Sequence, residues 1–502
     1  MPHSATMGTR MITLGTIKSA TGHDAIGQFV EERILPGTDW NLVRVRRKST
    51  RLEPPHAYWV TYRVILGRGD LVYPEPDADP VLEAAPAAGA DPAVGTPALD
   101  GVPGEDEGEL PEPAWSEQRE LRLAARGVFD TETWVGYRKR ILDVYGNRPC
   151  EPLTGLGYPV VFDETQMVVW FYPVDPNLPG LWRSAREEEV LQLFRNHLSQ
   201  ILDEPARAAI NGVALELARY LPEISAIIRY DIRTDPEEAS RTIFGKVQSG
   251  GRGAESNRVM NDIWKAAEQS GGRLVVPRPL GYHPAFELYL QASVPGEAIG
   301  SDRTKPEFLP SVLHAADALA SLHESGIATD KKLSFETEIG RLDKTLDQFV
   351  LVHPKAFFLL RELLTHIREK LKKTPGEDWL PTHGDYKYDQ ILHHEGAFSL
   401  IDFDYFGQAE NSFDLAKYCA YVVPSAPLGW EQSVAAEAAR SAFLERYREL
   451  RPGATLQRLP IYEAVFLGQR AMTMMWIQAR DWDKAAESLL VMAMERLKSR
   501  AP

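Results

Sequence analysis

Apolar and polar residues alternate through WNLVRVRRKSTR and HAYWVTYRVILG, on either side of Pro54-Pro55, which predicts a β-hairpin or two neighbouring strands. The same alternation returns in YPVVFDETQMVVWFYPVDP. SAREEEVLQLFRNHLSQIL then reads as an amphipathic helix with Ser184 as its N-cap. From about residue 206 the pattern predicts helix, strand, strand, helix: ARAAINGVALELARYL, ISAIIRYDIRT, ASRTIFGKVQ and AESNRVMNDIWKAAEQSG. After FELYLQASVPGEAIG the chain turns mostly helical, through SVLHAADALASLHESG and three segments between Trp430 and Ser499. A small sheet-rich lobe followed by a larger helical one is a two-lobed layout, and clefts between such lobes commonly hold active sites.

At 502 residues the chain exceeds what one core usually organises, so two or three domains are expected. The divisions predicted are an α+β N-terminal domain over 1–205, a sheet-rich lobe over 206–292 and a helical lobe over 293–502. Within the first, residues 73–118 are rich in Ala, Pro and Gly and poor in groups to bury, and read as a disordered acidic linker. Between Arg68 and Arg119 there are about thirteen acidic residues and no Lys or Arg. The net charge of −15 therefore resides mostly in that segment, and the remainder is nearly neutral. No basic stripe with interleaved aromatics is evident, so no nucleic-acid partner is expected. Cys150 and Cys419 stand far apart without a CxxC, which argues against a disulfide framework or a structural zinc site and for a reducing, cytoplasmic setting. With no apolar run of about eighteen residues and no apolar stretch of the signal-peptide kind at the N-terminus, no membrane association is expected.

The chemistry concentrates in LPTHGDYKYDQILHHEGAFSLIDFDYFG, where two acidic motifs flank a short apolar run. Phosphoryl transfer from a nucleotide needs a carboxylate to orient the attacking hydroxyl, oxygen ligands for metal ions and a cation for the phosphates. Asp385 fits the orienting base, Gln390 an amide-oxygen metal ligand, and Asp402 the second carboxylate at the end of the strand AFSLI. Lys387 is divided between a phosphate contact and a solvated surface charge. The alternative for Asp385 and Asp402 is a structural hairpin with acids capping its turns. His383 reads as a hydrogen-bonded scaffold for this loop, and Asp414 as structural. Adjacent His393 and His394 lack a third metal ligand at any recognisable spacing. Met472, Met475 and Trp476, at helical spacing, read as core.

His383, Asp385, Gln390, Asp402 and Asp414 in FDLA together resemble the motif of the aminoglycoside phosphotransferase and choline kinase superfamily. HGDY with Gln in place of Asn is most similar to the maltokinase branch, while IDFDYFGQAENSFDLA is also similar to choline kinases. The resemblance covers about residues 206 to 502. It implies a two-lobed protein-kinase-like phosphotransferase fold, α+β in class, preceded by a separate α+β N-terminal domain. It further implies that Lys246 in TIFGKV binds phosphates, with Glu255 as its partner and Asp262 as the rival. The backbone near Ala292 and Ser293 would receive the adenine. RYLPEISAIIRY, with Glu223 at its turn, replaces a glycine-rich phosphate loop. The expected activity is an ATP- and magnesium-dependent transfer of the γ-phosphoryl group to a hydroxyl of a small molecule, a sugar or amino sugar leading. The alternative is a catalytically silent, kinase-like binding or regulatory protein.

Overall fold

The structure is a computed structural model and describes residues 22–53, 57–72, 114–146, 148–197, 209–235, 240–298, 308–394, 397–423, 430–477 and 481–499, with Glu237 and Pro306. The first alternating stretches form an antiparallel hairpin, β1 (Asn41–Glu53) and β2 (Ala57–Val72). The strand β3 (Ala114–Val128), the helix α1 (Thr131–Tyr145), β4 (Val160–Phe162) and β5 (Met167–Phe171) follow. The sheet runs β1-β2-β3-β5-β4. Tyr58, Val60, Tyr62, Val64 and Leu66 alternate onto one buried face of β2, as a period of two requires. On the other face α1 packs Trp134, Tyr137 and Ile141 against Ala124 and Trp170. Of the expected linker, residues 73–113 lie outside the described residues, and 114–118 belong to β3.

Two expectations for the next stretch are corrected. Ser184 is not an N-cap: it ends the short helix α2 (Leu181–Ser184), and its hydroxyl donates to the Phe286 carbonyl at 3.3 Å. The helix that follows, α3 (Glu187–Asn196), begins after Arg186, with three glutamates in its first turn. These helices pack Leu181, Val190 and Phe194 into the core of the second sheet. Leu178 and Leu193 join the same core.

ARAAINGVALELARYL is not a helix, because Ala209–Leu221 is a strand, β6, paired along its length with β7 (Ser225–Asp235). Its alanines and leucines favour a helix in isolation, but Ile210 and Val213 are buried by the sheet's own core, and tertiary packing outweighs that preference. After β7 come β8 (Arg241–Gln248), α4 (Arg252–Gln269), β9 (Pro279–His283) and β10 (Leu288–Ala292). The order is β9-β10-β8-β7-β6.

The helical lobe contains α5 (Phe308–Glu324), α6 (Phe335–Val352) and α7 (Pro354–Lys373). β11 (Trp379–Thr382), the hairpin β12 (Ile391–His394) and β13 (Ala397–Leu400), and β14 (Gly407–Glu410) follow. The chain closes with α8 (Ser412–Val422), α9 (Trp430–Leu450), α10 (Leu459–Ile477) and α11 (Trp482–Lys498). Met472 and Met475 are buried in this lobe, as their spacing predicts. The chain thus has a two-lobed layout, a sheet-rich lobe followed by a helical one, preceded by an α+β region. That region meets both lobes, since the β6–β7 turn docks on its sheet and β1 lies against α10.

Candidate active site

The β12–β13 hairpin answers why two acids seventeen residues apart can act together. The Ile401 amide donates to the Gln390 carbonyl at 3.0 Å, one step beyond the Ile391–Leu400 pair. This ladder sets Gln390 beside the residue that precedes Asp402. Asp402 itself lies in the left-handed region, at φ 63°, a conformation uncommon for a non-glycine residue. Gly384 is at φ 84°, and a Cβ there would come within 2.4 Å of the Tyr405 carbonyl oxygen. Glycine is required if the loop carrying Asp385 is to pass that close.

His383 is wholly buried and acts as scaffold. Its Nε2 faces the Ile401 carbonyl at 3.0 Å, and its Nδ1 accepts from the Asp385 amide at 3.3 Å. Burial pulls its pKa down to about 4, so a neutral ring with its proton on Nε2 satisfies both bonds. Asp414 accepts from the His383 and Gly384 amides at 2.6 and 3.0 Å, and burial pushes its pKa up to about 7. These two residues fix the loop rather than face a substrate.

Asp385 lies between two ammonium groups. Lys387 Nζ is 2.9 Å from its Oδ2, and Lys417 Nζ is 2.9 Å from its Oδ1. Burial alone would raise the carboxyl's pKa, but the two lysines outweigh it and hold the group well below the usual carboxylate range. Lys387 is about 1% exposed, which rules out a solvated surface charge. Lys417 was not anticipated from sequence. The available signal was a single lysine inside the apolar run SFDLAKYCAYV.

Lys246 reaches across from β8 to Asp402, at 3.0 Å, and to Asp404, at 2.5 Å. Burial lowers its pKa and the two carboxylates more than reverse that, so it stays charged. Burial raises the Asp402 carboxyl to about 6, against the pull of Lys246. Glu255 does not meet Lys246. It stands exposed in the first turn of α4, paired with Arg258 at 2.7 Å, and Asp262 faces Arg258 and Lys265. The lysine's partner is instead Asp404, the second acid of IDFD, which also accepts from Gln248 at 2.9 Å. Ser256 donates to the Gln248 side-chain Oε1 at 3.2 Å and so ties α4 into the same chain of bonds. The Ala292 and Ser293 amides donate to Arg278 and Thr242, so both serve the sheet here.

Glu223 points away from the cleft. At φ 62° its turn directs the carboxylate into the N-terminal sheet, where Trp59 and Arg126 donate at 2.9 Å and Tyr137 at 3.1 Å. Arg140 adds a bond at 3.4 Å. The Glu223 amide donates to Asp175, whose carboxyl burial raises to about 6, and Asn177 donates to the Glu223 carbonyl. The turn that replaces a glycine-rich loop is thus fixed from outside.

The residues present fit a divalent cation. The Gln390 side chain is completely buried, and neither its Oε1 nor its Nε2 has a hydrogen-bond partner, a costly state that a cation on the oxygen would relieve. Among the described residues no cluster of three or more His, Cys, Asp or Glu could hold a metal unaided. Magnesium is commonly bound by one or two carboxylates and completed by substrate phosphates, which matches an amide and Asp402.

Residues 229–454 match the phosphotransferase enzyme family. The matched segment holds Lys246, the HGDYKYDQ loop, Asp402 and FDLA. No curated protein matches the chain. Among solved structures, a putative aminoglycoside phosphotransferase from Ralstonia eutropha JMP134 is 15% identical, with a TM-score of 0.47 over 63% of this chain and 99% of that one. A choline/ethanolamine kinase family protein from Mesorhizobium loti is 17% identical, with a TM-score of 0.43 over 61% of this chain and 95% of that one. An amicoumacin kinase in complex with AMP-PNP and calcium is 12% identical, with a TM-score of 0.41 over 63% and 94%. Among the described residues no helix is long and apolar enough to cross a membrane.

Proposed function

We propose that this protein is an ATP- and magnesium-dependent kinase that transfers the γ-phosphoryl group to a hydroxyl of a small molecule, a sugar or amino sugar leading. The observation that carries this reading is the orphaned Gln390 amide, whose backbone carbonyl bonds the residue before Asp402, with Lys246 and Asp385 close to that same acid. Within the superfamily, HGDY with Gln390 supports the maltokinase branch, and the spread of cysteines supports a cytoplasmic setting.

Gln390 and Asp402 would hold the magnesium, which would neutralise charge on the phosphates. Lys246, released from Asp402 and Asp404, would bind phosphate oxygens through the same ammonium. Asp385 orients the acceptor: its carboxylate accepts the hydroxyl's hydrogen bond and directs the oxygen's lone pair at the γ-phosphorus. The new P–O bond forms as the bond to the bridging oxygen breaks, ADP leaves with that electron pair, and the hydroxyl proton passes to Asp385. Lys387 and Lys417 keep Asp385 anionic beforehand and stand close to the group in transit. Each must loosen its hold on a carboxylate oxygen for the hydroxyl to approach.

The test is to incubate the purified protein with ATP and magnesium against sugars, amino sugars and amino alcohols, following ADP release and acceptor phosphorylation. Transfer to one acceptor class is expected. Nucleotide binding without transfer to any acceptor or to water would favour the silent reading.

A further inference from the structure

The N-terminal sheet carries a row of like charges. In the β1–β2–β3 register, Arg46 lies opposite Arg63 and Arg63 opposite Arg122. Like charges directly opposite one another destabilise a sheet, so the row works against folding unless something offsets it. Among the described residues the acid paired with them is Glu120, 3.4 Å from both Arg63 and Arg122, and it must serve two guanidinium groups. Lys48, at a bulge in β1, adds a further cation, and Arg63, Arg46 and Arg122 all act to lower its pKa alongside burial. Four cations face one carboxylate. Arg63 and Arg122 are 41% and 37% exposed, so the row is open to ligand.

The position of the row is as telling as its charge. Four residues along β2 and β3, about 13 Å at the usual rise, Trp59 and Arg126 grip Glu223. Both lie on the same face as the row, because residues an even number apart in a strand share a side. The β1 edge lies against α10 of the helical lobe. The basic face therefore adjoins the turn that stands in for the phosphate loop.

We propose that Arg46, Lys48, Arg63 and Arg122 form a binding site for a small polyanion, a molecule bearing two or more phosphate or carboxylate groups. Neighbouring strands stand about 4.8 Å apart, so the three guanidinium positions suit adjacent anionic groups on one molecule. Guanidinium groups pair with such oxygens in bidentate fashion. This site is separate from Lys246 and does not depend on the kinase reading.

The experiment titrates the full-length protein with inorganic pyrophosphate by calorimetry, without magnesium, and repeats it on Arg63→Gln/Arg122→Gln and on Lys246→Met. Binding that weakens about tenfold or more in the arginine double variant and persists in Lys246→Met is expected. Because both arginines are half-exposed and mutually repelling, the double variant should keep or raise the melting temperature, which separates a lost site from a lost fold. Three results would overturn the proposal. They are no binding by the wild type, binding indifferent to the arginines, and binding that emerges only when the acid-rich residues 75–112 are replaced by a neutral linker. The last would make the chain's own acids the occupant.

Discussion

Replacing Glu223 with alanine removes the carboxylate that joins the N-terminal sheet to the β6–β7 turn. Its side chain is 4% exposed and that of its main partner, Arg126, is 19% exposed, so the change strands a nearly buried guanidinium. Breaking such a pair from one side removes about 3–5 kcal/mol. Arg140 is 47% exposed and adds little after solvent screening. Trp59 and Tyr137 also lose their acceptor, though water entering the gap recovers part of that. A net loss of about 4 kcal/mol follows, or roughly 10 °C in melting temperature at the usual conversion for a unit of this size. Glu223→Gln retains an acceptor oxygen and should lose about half as much. Differential scanning calorimetry on the two variants and on Arg126→Met, completed as a double-mutant cycle, measures the effect. A coupling of about 2 kcal/mol between positions 223 and 126 is expected. A fall below about 1 °C for Glu223→Ala, or additive losses in the cycle, would refute the claim that this carboxylate anchors the turn.

Asp402→Asn should abolish turnover and weaken magnesium-dependent ATP binding, because a neutral amide cannot balance the cation; unchanged activity would sink the metal assignment. Asp385→Asn should cut transfer by about a hundredfold or more while leaving ATP affinity within a few-fold, as calorimetry and a transfer assay together would reveal. Lys417→Met removes one of the two charges that depress the Asp385 pKa, so that pKa should rise. Since the deprotonated form is the active one, the acid limb of the kcat/KM profile should move to higher pH; an unmoved limb would separate Lys417 from the reaction. Glu255→Gln should leave kcat and ATP affinity unchanged, whereas Asp404→Asn should impair both, reversing the order that the usual lysine partner would give.

The site was more legible than its surroundings because its residues are close in sequence. From His383 to Asp414 the apolar run AFSLI, the Gly before Asp385 and the paired acids encode a hairpin locally, and that hairpin forms. Lys246 was singled out through the family resemblance rather than by its own surroundings, and its ammonium reaches Asp402. What escaped depends on long-range contact. Asp404 lies 158 positions from Lys246, and nothing near either residue says that they will touch. The same is true of Glu223 and Trp59, 164 positions apart. β6 was misread because its composition suits a helix, and only the partner strand and the core beneath it decide otherwise. Ser184 has the chemistry of an N-cap, yet the helix is capped at Arg186, after Ser184 has closed the short helix before it.

The docking of the β6–β7 turn onto a sheet that also runs beside α10 bears on how the two lobes can move. Kinase-like lobes ordinarily rotate about their connection as nucleotide enters and leaves. Here a strut spans the jaws, fastened to one by a buried carboxylate and resting along the other. Rigid-body rotation would have to tear that joint, so access to the cleft falls to side chains at the floor: Lys246 leaving Asp402, and Lys387 and Lys417 parting from Asp385. Structures with and without nucleotide should therefore superpose across both lobes and differ in those three lysines.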